Sequence, residues 1–245
     1  MSFYHLFITN IRLLYRNWRG LFFNLFLPIV LYVAISKVAG NGSGSSNYAD
    51  FLLPGIIAMT IMQTGIFSLA YYLVDLKSRG VLKRFFVTPL STAELTGSLI
   101  LSRLVLMAIQ IAILVGIGKI YFGAHVNGSV LAIILLMVLG GGVFLGLGFL
   151  ISSLANTYDE AAPMTTLLNL IFTFLGNIFF PSSVLPKAFQ AIGSKLPVTY
   201  LAEGMRHNFI EQWSLKQTLP DFLGLAIWLV IILAATTYTF RLKKE

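Results

Sequence analysis

Long apolar stretches without Asp, Glu, Lys, Arg or His recur six times along the chain, separated by short polar connections. A bilayer core of roughly 30 Å takes about 20 helical residues to cross. The pattern therefore predicts an all-α integral membrane protein with six transmembrane helices. The stretches are Gly20–Ser36, Phe51–Val74, Leu104–Gly118, Val126–Tyr158, Ala161–Pro186 and Phe222–Phe240. We place the six spans at 20–38, 51–74, 97–121, 130–152, 164–180 and 220–240.

The first nineteen residues (1–19) predict an amphipathic helix before the first span. At about 100° per residue, apolar and aromatic side chains fall on one arc, and Arg12, Arg16 and Arg19 fall on the other. This pattern is typical of a helix that lies in the membrane interface. We disfavour the alternative, an ordinary packed helix, because the sequence offers no soluble part to pack against. The apolar arc is Phe3, Tyr4, Phe7, Ile8, Ile11, Leu14, Tyr15 and Trp18.

Composition agrees with a membrane location and excludes several classes of function. Charged residues make up 11% of the chain, against about 25% in soluble domains. The net charge of +8 is concentrated at the ends of apolar spans, where Lys and Arg orient helices and meet anionic lipid. We therefore expect membrane lipid, and not nucleic acid, as a partner. With no Cys and three scattered His, neither a disulfide nor a metal site is expected.

Lys and Arg are more frequent on the side of the bundle that holds both predicted termini and the connection after the second span. Arg103 is counted on that side because it can reach it by snorkelling. Loops rich in Lys and Arg stay in the cytoplasm. The distribution therefore predicts that both termini are cytoplasmic.

The segment 76–91 predicts a short basic helix on that cytoplasmic side, ended by Thr88 and Pro89. Such a helix suits docking to a cytoplasmic protein. A basic anchor that touches only lipid headgroups would have the same residues, and physical chemistry alone does not choose between the two. The apolar arc is Val81, Leu82, Phe85 and Phe86, and Lys83 and Arg84 project from the opposite side.

Polar side chains within two apolar spans are candidates for a substrate path, because burying them is costly unless they face protein or water. They recur four residues apart, which places them on one face of each helix. The alternative is that they form interhelical hydrogen bonds, commonly worth about 0.6–2 kcal/mol. The second span contributes Thr60, Gln63, Thr64 and Ser68, and the fifth contributes Thr165, Asn169, Thr173 and Asn177.

Three motifs occur in order along the chain: R-G-V-L-K-R-F-F-V-T-P-L-S at 79–91, G-F-L-I-S-S-L-A-N-T-Y-D-E-A-A at 148–162, and N-I-F-F-P-S-S-V-L-P at 177–186, followed by L-P-V-T-Y-L-A-E-G-M-R at 196–206. Together they resemble the type-2 ABC exporter permeases, a family of bacterial drug, lipid and polysaccharide export. Each motif alone is weak, but three in register over the whole chain make a chance match unexpected.

The resemblance implies a half-sized permease subunit in the bacterial plasma (inner) membrane. Two copies, as a homodimer or related heterodimer, would pair with two cytoplasmic ABC ATPase subunits. Segment 76–91 would be the coupling helix, and 181–212 an outer re-entrant helical segment. Within it, Glu203 and Arg206 lie three residues apart on one helical face; they pair with each other or cap the outward exit, and pairing is the expectation. The expected ATPase contacts are Arg79, Lys83, Arg84, Phe85, Phe86, Thr88 and Pro89.

The chain contains no G-x-x-x-x-G-K-[ST] phosphate loop. We therefore expect no catalytic residues and no cofactor in this chain, with ATP and Mg²⁺ bound by the partner ATPase. The expected function is export of an apolar or amphipathic compound, such as a drug-like molecule, a lipid or a glycolipid. The alternatives are an ion- or proton-coupled secondary carrier, an intramembrane enzyme, and a membrane assembly protein that transports nothing.

Overall fold

A computed structural model describes residues 3–40, 45–81, 92–124, 126–181, 184 and 186–242. These residues form nine helices, and no strand occurs among them. The helices are α1 (Phe3–Arg16), α2 (Trp18–Gly40), α3 (Ser45–Ser78), α4 (Thr92–Phe122), α5 (Val130–Leu154), α6 (Tyr158–Leu175), α7 (Lys187–Gly193), α8 (Pro197–Phe209) and α9 (Leu219–Leu242).

Four of the described helices are long and apolar enough to cross a membrane: α3, α4, α5 and α9. The helix α2 contains a shorter apolar stretch, Phe22–Val38. This architecture is that of an integral membrane protein, and the count of six spans stays a prediction. Contacts between distant residues define the two ends of the bundle: Asn10 with Ser98 and Lys77 with Ala155 at one end, and Arg206 with Phe51 and Ile178 at the other. We call the two ends of the bundle the α1 side and the α8 side.

The helix α3 is the centre of the bundle. Its apolar stretch is 83% buried, against 22% for that of α9. The side chains of Ile56, Ile57, Ile61 and Ile66 are completely buried. A helix that is apolar on all sides is typical of such a central position. It packs against α2, α4, α5, α6 and α8.

Glycines allow α3 and α5 to come unusually close. A Cβ atom added at Gly148 would lie 2.8 Å from the backbone carbonyl oxygens of Gly65 and Ile66. A Cβ atom at Gly65 would lie 2.6 Å from Cβ of Phe144. Small residues at such contacts let helix backbones approach closely in membranes. Gly65 and Gly148 therefore serve the packing of α3 against α5.

The predicted fifth span, 164–180, differs in position from the helix observed. The helix α6 begins at Tyr158, because the Thr157 side chain accepts a hydrogen bond from the Glu160 amide and Glu160 accepts one from the Asn156 amide. This reciprocal arrangement is close to a capping box. The helix ends at Leu175. The other helices extend beyond their predicted spans, and α3 extends most, since it begins six residues earlier and ends four later.

The structure describes most of segment 181–212 and only the first residues of segment 76–91. Segment 181–212 contains the two helices α7 and α8. The first residues of segment 76–91 continue α3 to Ser78, and a turn follows in which Gly80 has φ +67°. Lys83, Arg84, Phe85, Phe86, Thr88 and Pro89 lie outside the described residues.

The N-terminal helix packs on the membrane bundle itself. Nδ2 of Asn10, a buried residue, donates a hydrogen bond to Oγ of Ser98 on α4, at 3.1 Å. Tyr4 and Tyr15 remain largely exposed. The sequence pattern hid this contact because the buried face is centred on a polar residue. A position in the membrane interface stays a prediction for the exposed aromatic residues.

We predict that Gly148→Ala destabilises the protein by about 1–3 kcal/mol, because the new methyl group meets backbone atoms that cannot move aside as a flexible side chain would. Gly116→Ala on α4 is the matched control, since nothing lies within 4 Å of its added Cβ. Thermal unfolding of both purified variants measures the difference. Equal melting temperatures would contradict the close contact of α3 and α5.

Candidate functional site

Arg206 on α8 holds the α8 side of the bundle together. Its side chain is 7% exposed. Nε donates to the carbonyl of Phe51 at 3.1 Å, and Nη2 donates to the carbonyls of Asn177 and Ile178 at 2.6 and 3.1 Å. The guanidinium carbon also lies 3.8 Å from the centre of the Phe51 ring. Arg206 thus joins α8 to the start of α3 and to the end of α6 through charge-assisted hydrogen bonds and a cation–π contact.

The expected pairing of Glu203 with Arg206 takes a different form. Among the described residues the two side chains form no ion pair within 4 Å. Oε1 of Glu203 instead accepts a hydrogen bond from Nδ2 of Asn177 at 3.0 Å, while Arg206 binds the carbonyl of the same residue. Asn177 therefore stands between the acid and the base. The carbonyls of Asn177 and Ile178, which follow α6, accept from Arg206 in place of the Glu203 carboxylate. The spacing of residues in the sequence does not show this arrangement.

Some residues of the polar stripe on α3 form hydrogen bonds, and others are accessible. Thr64 is fully buried; its hydroxyl donates to Oε1 of Gln110 on α4 at 3.0 Å and accepts from Nδ2 of Asn24 on α2 at 3.3 Å. Thr60 donates to the carbonyl of Ile56 within its own helix. Thr64 thus connects three helices, as expected if the polar residues form interhelical hydrogen bonds and do not line a path.

Two residues of the α3 stripe are more accessible. Gln63 and Ser68 are both half-buried. Ser68 lies on the wall of a cleft on the α1 side. These positions leave a role in a substrate path as a prediction.

The stripe of the fifth span continues only as far as α6 does. Thr165 is buried, and its hydroxyl lies 3.0 Å from the hydroxyl of Tyr71 on α3. Asn169 Oδ1 and Thr173 Oγ1 are buried atoms with no hydrogen-bond partner among the described residues. Asn177 comes after the helix, with φ +55°. It therefore leaves the shared helical face predicted for it and joins the Arg206 contacts.

The helices α3 and α6 meet within one chain. The contact between Thr165, on the α6 stripe, and Tyr71, which is outside the α3 stripe, joins them near the α1 side. A substrate path stays a prediction, with Asn169 and Thr173 as the candidates on α6 whose buried oxygens have no partner among the described residues.

The α1-side end of α3 is fixed to the end of α5. Nζ of Lys77 donates to the carbonyl of Ala155 at 2.9 Å and to that of Ser152 at 3.5 Å. One turn further, Nε of Arg79 pairs with Oδ1 of Asp75 at 2.8 Å, and 71% of the Arg79 side chain is exposed. Arg79 is thus available to a partner at the point where α3 leaves the bundle.

Sequence reasoning missed several of these polar residues. Asn24 and Gln110 are single amides within apolar spans, and that isolation was a usable signal because an unpaired amide in a bilayer is costly. Lys77 gave no such signal, since it is one of several basic residues in its segment. No group of three or more acidic, His or Cys side chains is arranged to hold a metal ion within the described part of the chain.

An ion pair links α8 to the first turn of α9. Nδ1 of His207 lies 2.9 Å from Oδ2 of Asp221, and the imidazole stacks on the Trp213 ring at 3.8 Å between centres. The hydrogen bond to Asp221 raises the pKa of His207, partial burial opposes that rise, and the charges of Asp221, Glu211 and Glu203 add to it.

Because the pKa of His207 is higher in the folded protein than in the unfolded chain, this pair stabilises fully below the unfolded value of about 6.5 and loses its effect as pH rises through the folded value. We predict that raising the pH from about 6 to about 9 lowers the melting temperature by on the order of 1–3 °C through this pair. His207→Gln should remove that part of the pH dependence, while His5→Gln, at an exposed site on α1, should leave it. Identical pH profiles for the wild type and His207→Gln would contradict the ion pair.

Comparison with known proteins gives the chain its family. Residues 1–210 match the family model described as "ABC-2 type transporter". The chain is 23% identical to the inner membrane transport permease YadH of Escherichia coli over 190 residues, covering 75% of this chain and 74% of YadH. It is 29% identical to nodulation protein J of Bradyrhizobium diazoefficiens over 210 residues, covering 81% and 79% of the two chains.

A longer relative is ABC transporter G family member 20 of Dictyostelium discoideum, which is 25% identical over 194 residues. That alignment covers 78% of this chain and spans only 27% of the length of the relative. The family match over residues 1–210 includes every described helix from α1 to α8. The chain belongs to the ABC-2 type transporter family, as a membrane permease component.

Proposed function

We propose that this chain is the membrane-spanning permease subunit of an ABC exporter that moves an apolar or amphipathic compound outward. The ATPase, with its ATP and Mg²⁺, would be a separate cytoplasmic polypeptide. The observation that carries the proposal is the family match over residues 1–210, in a chain whose described helices form one membrane bundle. The export direction and the substrate class, a drug-like compound, a lipid or a glycolipid, rest on the motifs at 79–91, 148–162 and 177–206.

The proposed orientation places the α1 side in the cytoplasm, with both termini, in the inner membrane of a bacterium. The surplus of Lys and Arg on that side supports it. The α8 side, with α7, α8 and the Arg206 contacts, would then face outward. This orientation brings segment 76–91 to the side where an ATPase could dock.

Force from the ATPase would enter the bundle through the residues that follow α3. Arg79 is exposed immediately beyond that helix. Lys77 connects the same end of α3 to the carbonyls at the end of α5. A push on segment 76–91 would therefore act on α3 and α5 together, and through α3 on the Phe51 carbonyl that Arg206 binds.

The substrate path would run between two copies of the chain, lined by Gln63, Ser68, Asn169 and Thr173. The two buried oxygens on α6 that lack a partner in the described part of the chain support this placement. Unpaired polar groups inside a membrane mark paths or contacts with other protein. Thr64 and Asn177, which are held by hydrogen bonds, would support the path rather than line it.

We predict that reversing the basic residues Arg79, Lys83 and Arg84 to Glu reduces recovery of the ABC ATPase with the permease by about tenfold or more, or uncouples ATP hydrolysis from substrate, because like charges across an interface repel. Arg84→Glu alone should act in the same direction. Co-purification from native membranes and substrate-stimulated ATPase activity measure the two effects.

Lys216→Glu makes the same change of charge as Arg84→Glu, but at an exposed site on the α8 side. It should leave both measurements unchanged. Normal recovery and normal coupling in the triple variant would overturn the assignment of segment 76–91 as the coupling element.

A further inference from the structure

A cleft of about 710 Å³ opens on the α1 side, between α1, the start of α2, the last turns of α3, and α4. Its lining combines polar and apolar side chains. The polar ones include Asn17, Asn24, Ser68, Tyr71 and Tyr72, and the apolar ones include Leu13, Leu14, Phe67 and Leu106. The cleft can therefore contact both the polar head and the hydrocarbon tail of an amphipathic molecule.

Arg103 on α4 lines this cleft. It is 5% exposed, and its Nε and Nη1 are buried without a hydrogen-bond partner in the described part of the chain. Its guanidinium carbon lies 5.6 Å from the centre of the Tyr72 ring. The side chain thus lies within the bundle, in a cleft on the α1 side, and its snorkelling to the cytoplasmic surface stays a prediction.

The charges around the cleft leave this guanidinium uncompensated. Asp75 is the acidic residue on the cleft wall, and its Oδ1 is bound by Nε of Arg79. Arg16 also lines the cleft. A buried charge without a partner is strongly unfavourable, so an anion that enters the cleft would be bound in order to satisfy Arg103.

The depth of Arg103 favours an anion that arrives through the bilayer. It lies six residues, or about 9 Å along the helix, inside the predicted start of the third span at Gly97. Any phosphate group loses hydration on reaching that depth, and a dissolved phosphate ion has no apolar part to offset the cost. A lipid offsets it through acyl chains that contact Leu13, Leu14 and Leu106.

We propose that this cleft is a binding site for an anionic phospholipid, with the lipid phosphate on Arg103 and an acyl chain against Leu13, Leu14 and Leu106. Charge-assisted hydrogen bonds from Arg to phosphate supply the affinity. The site shares Ser68 with the proposed substrate path and includes none of its α6 residues, and it does not depend on whether the chain exports anything.

Lipid binding to the purified, delipidated full chain tests the proposal. Native mass spectrometry would count bound phosphatidylglycerol, with phosphatidylcholine and inorganic phosphate as the other two ligands. We expect phosphatidylglycerol to bind tighter than phosphatidylcholine, and Arg103→Gln to weaken its binding by about tenfold or more. Arg12→Gln removes the same charge from an exposed site on α1 and should have little effect.

Each other outcome contradicts the proposal. Equal binding of the two lipids would show that the charge of the headgroup is not recognised. Competition by inorganic phosphate at the same concentration as the lipid would show a small-anion site. Equal losses in Arg103→Gln and Arg12→Gln would reduce the effect to general surface charge.

A second measurement needs no variant, in case Arg103→Gln does not fold. The wild-type chain in phosphatidylcholine vesicles that contain a photoactivatable phosphatidic acid should be labelled on peptides of α1 and of α3 that line the cleft. Labelling confined to lipid-exposed residues such as Val230 and Tyr238 on α9 would overturn the site.

Discussion

The burial of α3 on all sides is the constraint on which the rest of the structure depends. One helix can lie at the centre only if its neighbours approach closely enough to leave no unpaired polar group in the bilayer. Gly65 and Gly148 make that approach possible on the α5 face. Thr64 satisfies its polar group through Asn24 and Gln110 on the α2 and α4 faces. Close packing at Gly65 and hydrogen bonding at Thr64 thus occur at neighbouring positions of α3.

The two ends of α3 carry different kinds of contact. On the α8 side, Arg206 binds the carbonyl of Phe51 and those after α6, so the segment before the last helix is fastened to the central helix. On the α1 side, Lys77 reaches α5, while Arg79 is exposed beyond the helix end. A permease moved by an external ATPase needs this combination, because a rigid centre transmits displacement and an exposed end receives it.

Much of the fold was predictable because charge is so strongly excluded from apolar spans. The cores of α2, α3, α4, α5 and α9 lie where the uncharged stretches are. The position of α6 was harder to predict, because its cap, formed by Thr157 and Glu160, lies before the predicted start of the span at residue 164. Asn177 shares the spacing of Thr165 and Thr173 in the sequence, but the helix ends before it.

The side-chain contacts were less predictable than the helices. Glu203 and Arg206 are three residues apart on one helix, and spacing alone favours their pairing. Arg206 instead binds carbonyls that are distant in the sequence and that only the folded chain brings together. The orientation of Arg103 was unpredictable for a similar reason, since a sequence does not show whether a long basic side chain turns outward or into a cleft.

A matched pair of substitutions tests the central position of α3 most directly. Ile61 on α3 is completely buried, and Ile227 on α9 is 59% exposed. Thermal unfolding of Ile61→Trp and Ile227→Trp in the reconstituted chain compares the same change of volume at the two sites. Overpacking of a dense interior costs about 1–3 kcal/mol or more, so Ile61→Trp should melt well below the wild type and Ile227→Trp close to it. Equal tolerance of tryptophan at both positions would contradict a central α3.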